Sequence, residues 1–190
     1  MDNLFSLLAE GFDLPVLDWI RAHLSCGFLD KLMPAITVLG NGGMFWIAVA
    51  LLLLCFHKTR RTGLSVAFAL LMGLLLCNMI MKPAFARIRP YDYQLQHFRI
   101  TIPLLIKRQH DFSFPSGHTI ASFEAATALL LCNKKLGIPA AILAVVIAFS
   151  RLYLYVHYPT DVLTSVVLGI GLGALGAYFA KKLPEGKYLK

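Results

Sequence analysis

The sequence has few charged residues for its length. Only 15% of its 190 residues are Asp, Glu, Lys or Arg, whereas 58% are apolar. Soluble globular domains carry about 25% charged residues, so this composition excludes an ordinary soluble domain. We therefore expect an integral-membrane protein in which residues 1–190 form a single domain.

Motifs that would indicate a metal or redox site are missing. The sequence has no C-x-x-C pair, no H-E-x-x-H motif and no comparable ligand spacing. The cysteines lie in or beside apolar runs and are expected to be ordinary buried thiols: Cys26, Cys55, Cys77 and Cys132. Four histidines are expected at the surface: His23, His57, His97 and His110.

The N-terminal segment lacks the positive charges that begin a secretory signal peptide. Residues 1–20 contain no Lys or Arg but carry four acids: Asp2, Glu10, Asp13 and Asp18. Large apolar residues alternate with these acids, which is typical of a helix lying on a membrane surface. The sequence therefore predicts an interfacial N-terminal helix over residues 1–22.

Long apolar runs dominate the rest of the chain. Residues 62–81 and 162–180 contain no charged residue, and each run is long enough to cross about 30 Å of hydrocarbon as a helix. Four further spans with polar interruptions are predicted at residues 26–39, 43–56, 117–132 and 138–156. Because lipid tolerates only helices or closed barrels, we expect an all-α polytopic bundle of about six transmembrane helices.

The cations indicate an orientation in the membrane. If the spans alternate, 11 of the 18 Lys and Arg residues lie on the N-terminal side, which favours cytoplasmic termini. These are Arg21, Lys31, Lys58, Arg60, Arg61, Lys134, Lys135, Lys181, Lys182, Lys187 and Lys190. Since the cations are scattered among the spans and not gathered on one face, the net charge of +8 does not indicate nucleic-acid binding.

Three groups of polar residues lie at the ends of predicted spans. Lys82 follows the third span, residues 115–118 open the fourth, and the stretch from Arg151 to His157 ends the fifth, with Asp161 opening the sixth. Alternating helices place all three groups on one side of the membrane. Reversing the orientation of the whole bundle would move all three groups to the opposite side, so their predicted proximity does not depend on the orientation.

The cations in these groups predict an anion site. Lys82, Arg89 and Arg151 are fixed positive charges without a matching excess of carboxylates, which favours phosphate. Ser116 and Gly117 open a helix, where free backbone N–H groups and the helix dipole also attract anions.

Two histidines could supply a nucleophile and an acid. His157 lies four residues before Asp161, whose carboxylate could hold one ring nitrogen and leave the other free for attack. His118 could protonate a departing oxygen. Taken singly, Arg151 could equally be a snorkelling anchor and His157 an interfacial aromatic residue.

The three groups together read K-x6-R-P at residues 82–90, P-S-G-H at 115–118 and S-R-x5-H-x3-D at 150–161. They resemble the signature of the type-2 phosphatidic acid phosphatase superfamily, which includes glucose-6-phosphatases and vanadium haloperoxidases. Every signature position matches. The motifs cover about 25 residues, and the six-span layout resembles the membrane branch of the family over nearly the whole chain.

The resemblance implies a role for each residue. The histidine matching His157 attacks phosphorus to form a phosphohistidine, the aspartate matching Asp161 orients it, and the histidine matching His118 protonates the leaving group. The phosphate-binding positions match Lys82, Arg89, Ser116, Gly117 and Arg151. Water then hydrolyses the intermediate, and neither a metal nor another cofactor is needed.

These implications predict a lipid phosphatase of the bacterial plasma membrane, with residues 82–115 as an outer catalytic loop. The expected partners are the bilayer and a lipid phosphate or diphosphate. Undecaprenyl diphosphate is favoured, with phosphatidylglycerophosphate and phosphatidate as alternatives that residue chemistry does not separate. A transporter of a phosphorylated lipid should instead have broken or charged segments near mid-membrane, and the haloperoxidase relatives are soluble.

Three further features carry predictions. Glu124 lies within a span and should face the bundle interior and find a polar partner. Residues 91–112 are either a lid or lipid entrance, or a simple connection. Gly169 and Gly173 predict close helix packing, whereas the G-x-G-x-x-G at residues 171–176 has no preceding strand and does not indicate a dinucleotide site.

Overall fold

The structure, a computed structural model, describes residues 2–184, and within that range it contains helices and no strand. This confirms the predicted all-α class. Two of the predicted inner cations, Lys187 and Lys190, lie outside the described residues. The α-helices are α1 (Asp2–Leu8), α2 (Leu14–Leu24), α3 (Gly27–Val38), α4 (Met44–Cys55), α5 (Arg60–Gly73), α6 (Lys82–Phe85), α7 (Pro90–Phe98), α8 (Gly117–Cys132), α9 (Lys134–Tyr153) and α10 (Pro159–Lys182).

The described residues contain three helical stretches that are long and apolar enough to cross a membrane: His57–Phe98, α9 and α10. A fourth candidate is the pair Gly27–Val38 and Asn41–Cys55, which bends by 42° at its break. The count of about six spans is therefore not confirmed. Helix α8 has 16 residues, or about 24 Å at 1.5 Å per residue, which is shorter than a hydrocarbon core of about 30 Å.

The outer faces of the helices are apolar. Large side chains such as Leu52 of α4, Ile142 of α9 and Val167 of α10 are more than 60% exposed. In water they would form an apolar patch far larger than soluble monomers carry, whereas lipid solvates them. The protein is therefore a membrane protein that directs large apolar side chains outward.

Small residues allow α8 and α10 to pack closely. A Cβ atom at Gly169 would lie 2.8 Å from the Cβ of Phe123, and one at Gly173 would lie 2.5 Å from the backbone oxygen of Glu124. Both distances are too short for real contacts, so only glycine fits. The predicted packing role of this glycine pair is confirmed.

Helical residues occupy most of the N-terminal segment. A π-helical turn, Ala9–Asp13, joins α1 to α2, and Leu14, Leu17 and Ile20 of α2 are buried. The described residues of this segment are helical from Asp2 to Leu24, and the interfacial helix over residues 1–22 stays a prediction. Asp13, one of the four acids on which the prediction of a surface helix depends, is fully buried.

The cysteine prediction is only partly right. All four cysteines are free thiols, but only Cys77 is buried, and Cys26, Cys55 and Cys132 are exposed on the bundle surface. An apolar run predicts burial in lipid, which does not distinguish the protein interior from the lipid-facing side of a helix. The four histidines predicted at the surface are exposed, as expected.

We expect Gly173→Ala to destabilise the bundle. Its new methyl group would meet the backbone of α8, and such overpacking lowers the free energy of unfolding by about 1–3 kcal/mol. Gly171→Ala, in the same helix, is the matched control because nothing lies within 4 Å of its added Cβ. Thermal unfolding in detergent, followed by intrinsic fluorescence, measures the difference. Equal midpoints for the two variants would show that the α8–α10 contact is not tight.

Candidate active site

His157 lies between α9 and α10 and is almost fully buried. Its Nδ1 is 3.6 Å from Oδ2 of Asp161 and 3.5 Å from Oγ of Ser113. The Ser113 hydroxyl in turn donates a hydrogen bond of 2.5 Å to the same Asp161 oxygen. The predicted pair of ring and carboxylate is thus brought together, at a distance longer than an ordinary hydrogen bond. Catalytic hydrogen bonds commonly shorten only in the substrate complex.

The turn before α10 determines where these two side chains point. Asp161 lies in the first turn of α10, and its Oδ2 accepts a hydrogen bond of 3.0 Å from the backbone N–H of Tyr158. Tyr155 adopts a left-handed φ of 58°, which is uncommon for a bulky residue. Its hydroxyl donates to Asp18 and accepts from Gln94, at 2.7 and 2.9 Å. These contacts stabilise the turn that carries His157.

Arg89 faces the other nitrogen of His157. Its Nη1 is 3.3 Å from His157 Nε2 and donates to the backbone oxygen of Val156 at 2.7 Å. Its Nη2 and Nε donate to the side chain and backbone oxygen of Asp111, at 2.6 and 2.9 Å. The guanidinium of Arg89 therefore lies between the imidazole and a carboxylate.

Asp111 connects two of the predicted phosphate-binding residues. Its Oδ2 accepts a hydrogen bond from Lys82, and its Oδ1 accepts one from Arg89. The side chain of Asp111 is 52% exposed, whereas those of Lys82 and Arg89 are 13% and 3% exposed. The carboxylate thus makes the contacts with Lys82 and Arg89 that phosphate oxygens would need.

The electrostatic surroundings set the charge state of both groups. Burial alone would raise the pKa of Asp111, but the hydrogen bond from Lys82 and the charges of Arg89 and Lys82 outweigh burial and lower that pKa below its usual range. Burial, together with the charges of Arg89, Arg151 and Lys82, holds the pKa of His157 well below its usual range. At neutral pH the imidazole is therefore uncharged and Asp111 is ionised.

Arg151 and His118 line a common cavity beside Lys82. Arg151 is 1% exposed, and its Nη1 donates a 2.5 Å hydrogen bond to Thr37 of α3, while its Nε has no hydrogen-bond partner within residues 2–184. His118 Nε2 is 2.9 Å from Oδ1 of Asn41. The turn between α3 and α4 therefore holds the imidazole of His118 from the side opposite α8.

Ser116 directly precedes α8 and Gly117 begins it, but only Gly117 lines the cavity. Ser116 is fully buried, its N–H donates to Ser165 Oγ at 2.8 Å, and its hydroxyl accepts from Thr119 at 3.0 Å. The expectation of a free N–H at Ser116 is therefore wrong, because α10 supplies an acceptor. Gly117 lines the cavity.

The cavity has a volume of about 1280 Å³ and is lined by both polar and apolar residues. Its polar lining residues include Lys82, His118 and Arg151, and its apolar lining residues include leucines of α4 and α5. Two of these leucines, Leu51 and Leu71, are more than half exposed, so the cavity opens on the apolar flank of the bundle.

Glu124 also lines this cavity and is 1% exposed. Its predicted interior position is confirmed. The expected polar partner is missing for Oε2, which has no hydrogen-bond partner among the described residues.

Four residues of the site were missed by sequence reasoning: Asp13, Arg87, Asp111 and Ser113. Arg87 is one of the seven Lys and Arg residues outside the predicted cytoplasmic group, and sequence reasoning assigned it no further role, yet its Nη1 donates a 2.5 Å hydrogen bond to Asp161. Ser113 lies two residues before Pro115 of the P-S-G-H motif, and this proximity is the one sequence signal that could have indicated it. Asp13 and Asp111 lie in different segments, and no local pattern connects them to the site.

Comparison with known proteins identifies the family. The family model described as the PAP2 superfamily matches residues 62–185. The chain is 35% identical over 143 residues to an undecaprenyl-diphosphatase of Sulfolobus acidocaldarius, an alignment that covers 75% of this chain and 66% of that protein. It is 32% identical over 155 residues to the undecaprenyl-diphosphatase BcrC of Bacillus subtilis, covering 82% of this chain and 77% of the relative.

A solved structure extends the comparison to the fold. The crystal structure of a transmembrane PAP2-type phosphatidylglycerolphosphate phosphatase from Bacillus subtilis superposes with a TM-score of 0.71 at 25% identity, over 97% of this chain and 96% of that one. Sequence and fold agree, and four of the signature residues line the cavity: Lys82, Gly117, His118 and Arg151. The chain belongs to the PAP2 superfamily.

Proposed function

We propose that this protein is a metal-independent lipid phosphatase that forms a phosphohistidine at His157. The observation that carries the proposal is the uncharged, buried imidazole, which lies between the Asp161 carboxylate and Arg89. An uncharged ring has a free lone pair, and a nearby carboxylate favours the tautomer that directs the lone pair away from it.

The first chemical step follows from the different surroundings of the two ring nitrogens of His157. Nδ1 faces Asp161 and Ser113 and carries the proton, so the lone pair of Nε2 attacks phosphorus. As the Nε2–P bond forms, the bond between phosphorus and the lipid oxygen breaks. His118 gives its proton to that oxygen, and water later attacks the phosphohistidine to release phosphate.

Lys82, Arg89 and Arg151 neutralise the phosphoryl oxygens in this scheme. Charge in phosphoryl transfer is spread over three equatorial oxygens, and preorganised cations stabilise it without reorganisation. The Nε of Arg151 supports this role, because it is a buried donor for which the described part of the chain supplies no acceptor. Ser116 and Gly117 complete the proposed phosphate site at the start of α8, with Gly117 lining the cavity.

The apolar part of the cavity supports a lipid substrate. The same cavity is lined by leucines at the flank of the bundle and by Lys82, His118 and Arg151, so a tail can stay in the bilayer while its phosphate lies beside these residues. We propose undecaprenyl diphosphate as the first substrate to test, because two relatives with 32–35% identity are named undecaprenyl-diphosphatase. Phosphatidylglycerophosphate is the second candidate, supported by the structural neighbour that covers 97% of this chain. Phosphatidate is a third.

We also propose the finer membrane arrangement. Residues 1–190 form one domain, with the short helix α8 completing a bundle of about six spans and the N-terminal helix lying at the interface. Both termini are cytoplasmic, and the site, with the loop over residues 82–115, faces the outer side of a bacterial plasma membrane.

His157→Ala should abolish turnover, because the nucleophile is removed. Losing one member of such a catalytic group typically lowers kcat by about 10⁴-fold or more. Phosphate release from undecaprenyl diphosphate and phosphatidylglycerophosphate in detergent measures the loss, and acid-labile phosphoenzyme should disappear with it. The matched control is His23→Ala, an exposed histidine on α2. Wild-type turnover by His157→Ala would exclude this residue as the nucleophile.

Treatment with EDTA should leave the rate of phosphate release unchanged, since the proposed scheme uses protein cations where other phosphoryl transferases use Mg²⁺. The assay compares chelated enzyme with enzyme supplied with excess Mg²⁺. A rate that falls on chelation and returns with metal would contradict the proposed mechanism.

Asp111→Asn should strengthen inhibition by orthophosphate and vanadate by about tenfold, or about 1.4 kcal/mol. The wild-type carboxylate competes with these anions for Lys82 and Arg89, and the amide removes its charge. Inhibition constants measure the effect. The control, Asp92→Asn, removes the same charge from an ion pair with Arg108 in the same connection. Weaker inhibition in Asp111→Asn would mean that Asp111 holds the cations in place and does not compete.

A further inference from the structure

Arg87 lies between two buried carboxylates that come from opposite ends of the chain. Its Nη1 donates to Oδ1 of Asp161 at 2.5 Å, and its Nη2 donates to Oδ2 of Asp13 at 2.7 Å. The side chains of Arg87, Asp13 and Asp161 are 3%, 0% and 0% exposed. One guanidinium thus connects the N-terminal helical segment to the carboxylate beside His157.

Both oxygens of the Asp13 carboxylate accept hydrogen bonds. Oδ1 accepts the backbone N–H of Thr160 at 2.9 Å, and Oδ2 accepts the Thr160 hydroxyl at 2.7 Å in addition to Arg87. Thr160 directly precedes Asp161. Asp13 is therefore bonded both to Arg87 and to the chain segment that carries Asp161.

The Arg87 guanidinium is also confined by aromatic rings. It lies 3.7 Å from the ring centroid of Tyr158 and 4.7 Å from that of Phe5. A cation held against two aromatic faces and two carboxylates has little freedom to turn. The position of Asp161 Oδ1 is therefore determined by a side chain that Asp13 holds in place.

The charges favour the same conclusion. Arg87 shared between two carboxylates gives the group of Asp13, Arg87 and Asp161 a net negative charge, whereas Arg87 paired with Asp161 alone would give no net charge. Asp13 consequently allows Asp161 to be bound firmly while it still attracts the Nδ1 proton of the imidazole. Removing one partner of a buried ion pair leaves the other uncompensated, so the effect of Asp13 should be felt at Asp161.

We propose that Asp13, acting through Arg87, is a positioning residue for Asp161 and so for the nucleophile His157. This inference rests on the proposed function of His157. Asp13 precedes residues 62–185, which the PAP2 family model matches, so the N-terminal segment adds a part of the site from outside that region. If Asp13 only attached the N-terminal helical segment to α10, its carboxylate would bind α10 without any effect on the attack by His157.

The test uses Asp13→Asn in the full-length protein, with undecaprenyl diphosphate and phosphatidylglycerophosphate as substrates in detergent. Residues that orient a metal-bound histidine commonly contribute about 10–100-fold to activity, and by analogy we expect kcat to fall about tenfold or more with KM nearly unchanged. The rate of phosphoenzyme formation should fall by the same factor, because positioning acts on the attack step.

The pH profile separates positioning from docking. Without the Asp13 charge, Arg87 is less compensated and disfavours protonation of His157, so the acid limb of kcat/KM should move to lower pH. The other charged and titratable groups around the imidazole are Lys82, Arg89, Asp111, His118, Arg151 and Asp161, and none of them is changed. Glu10→Gln is the matched control, because Glu10 lies in the same π-helical turn as Asp13 and accepts its hydrogen bond from Tyr93 of α7 and not from Arg87. Its kcat and acid limb should match the wild type.

A double-mutant cycle with Arg87→Gln completes the test and covers the case in which Asp13→Asn does not fold. The double variant removes the charges of Asp13 and Arg87 together. Because Asp13 acts on Asp161 only through Arg87, we expect the kcat of the double variant to equal that of Arg87→Gln alone. Wild-type kcat and pH profile in folded Asp13→Asn, or in the double variant, would overturn the inference. Turnover by His157→Ala would instead overturn the proposed function, whatever Asp13→Asn does.

Discussion

Buried arginines at one end of an apolar bundle are the constraint on which this structure depends. A charge removed from water is tolerated only when hydrogen bonds and opposite charges surround it. Arg87, Arg89 and Arg151 are each less than 5% exposed, so each must find acceptors in the protein. Because the acceptors lie on different segments, satisfying the arginines also joins those segments into one site.

The three arginines join different parts of the chain. Arg87 connects the N-terminal helical segment to α10, and Arg89 connects the segments around Asp111 and Val156. Arg151 connects α9 to α3 through Thr37. The groups that we propose for an incoming phosphate are the donors of Arg89 and Lys82 that Asp111 occupies, and the Nε of Arg151, which has no hydrogen-bond partner among the described residues. Preorganised cations of this kind are what electrostatic catalysis requires.

Much of the candidate site could be predicted because its residues form short motifs at the ends of apolar runs. The structure brings His157 next to Asp161 and Arg89, and it places Lys82, Gly117, His118 and Arg151 around one cavity. The number of spans could not be predicted as well, since hydropathy does not show where a helix bends or that α8 has only 16 residues. The free N–H expected at Ser116 was wrong because its acceptor, Ser165, belongs to another helix.

The sequence by itself determined the membrane class, the helical fold and the residue types of the site, because span length, apolar content and motif spacing are local properties. Only the tertiary structure decided which charges meet. Asp13 and Arg87 are 74 positions apart, as are Arg87 and Asp161, and Arg89 is 22 positions from Asp111. Such contacts depend on how each helix is rotated and how each connection returns to the bundle, and the packing of all the helices together sets both.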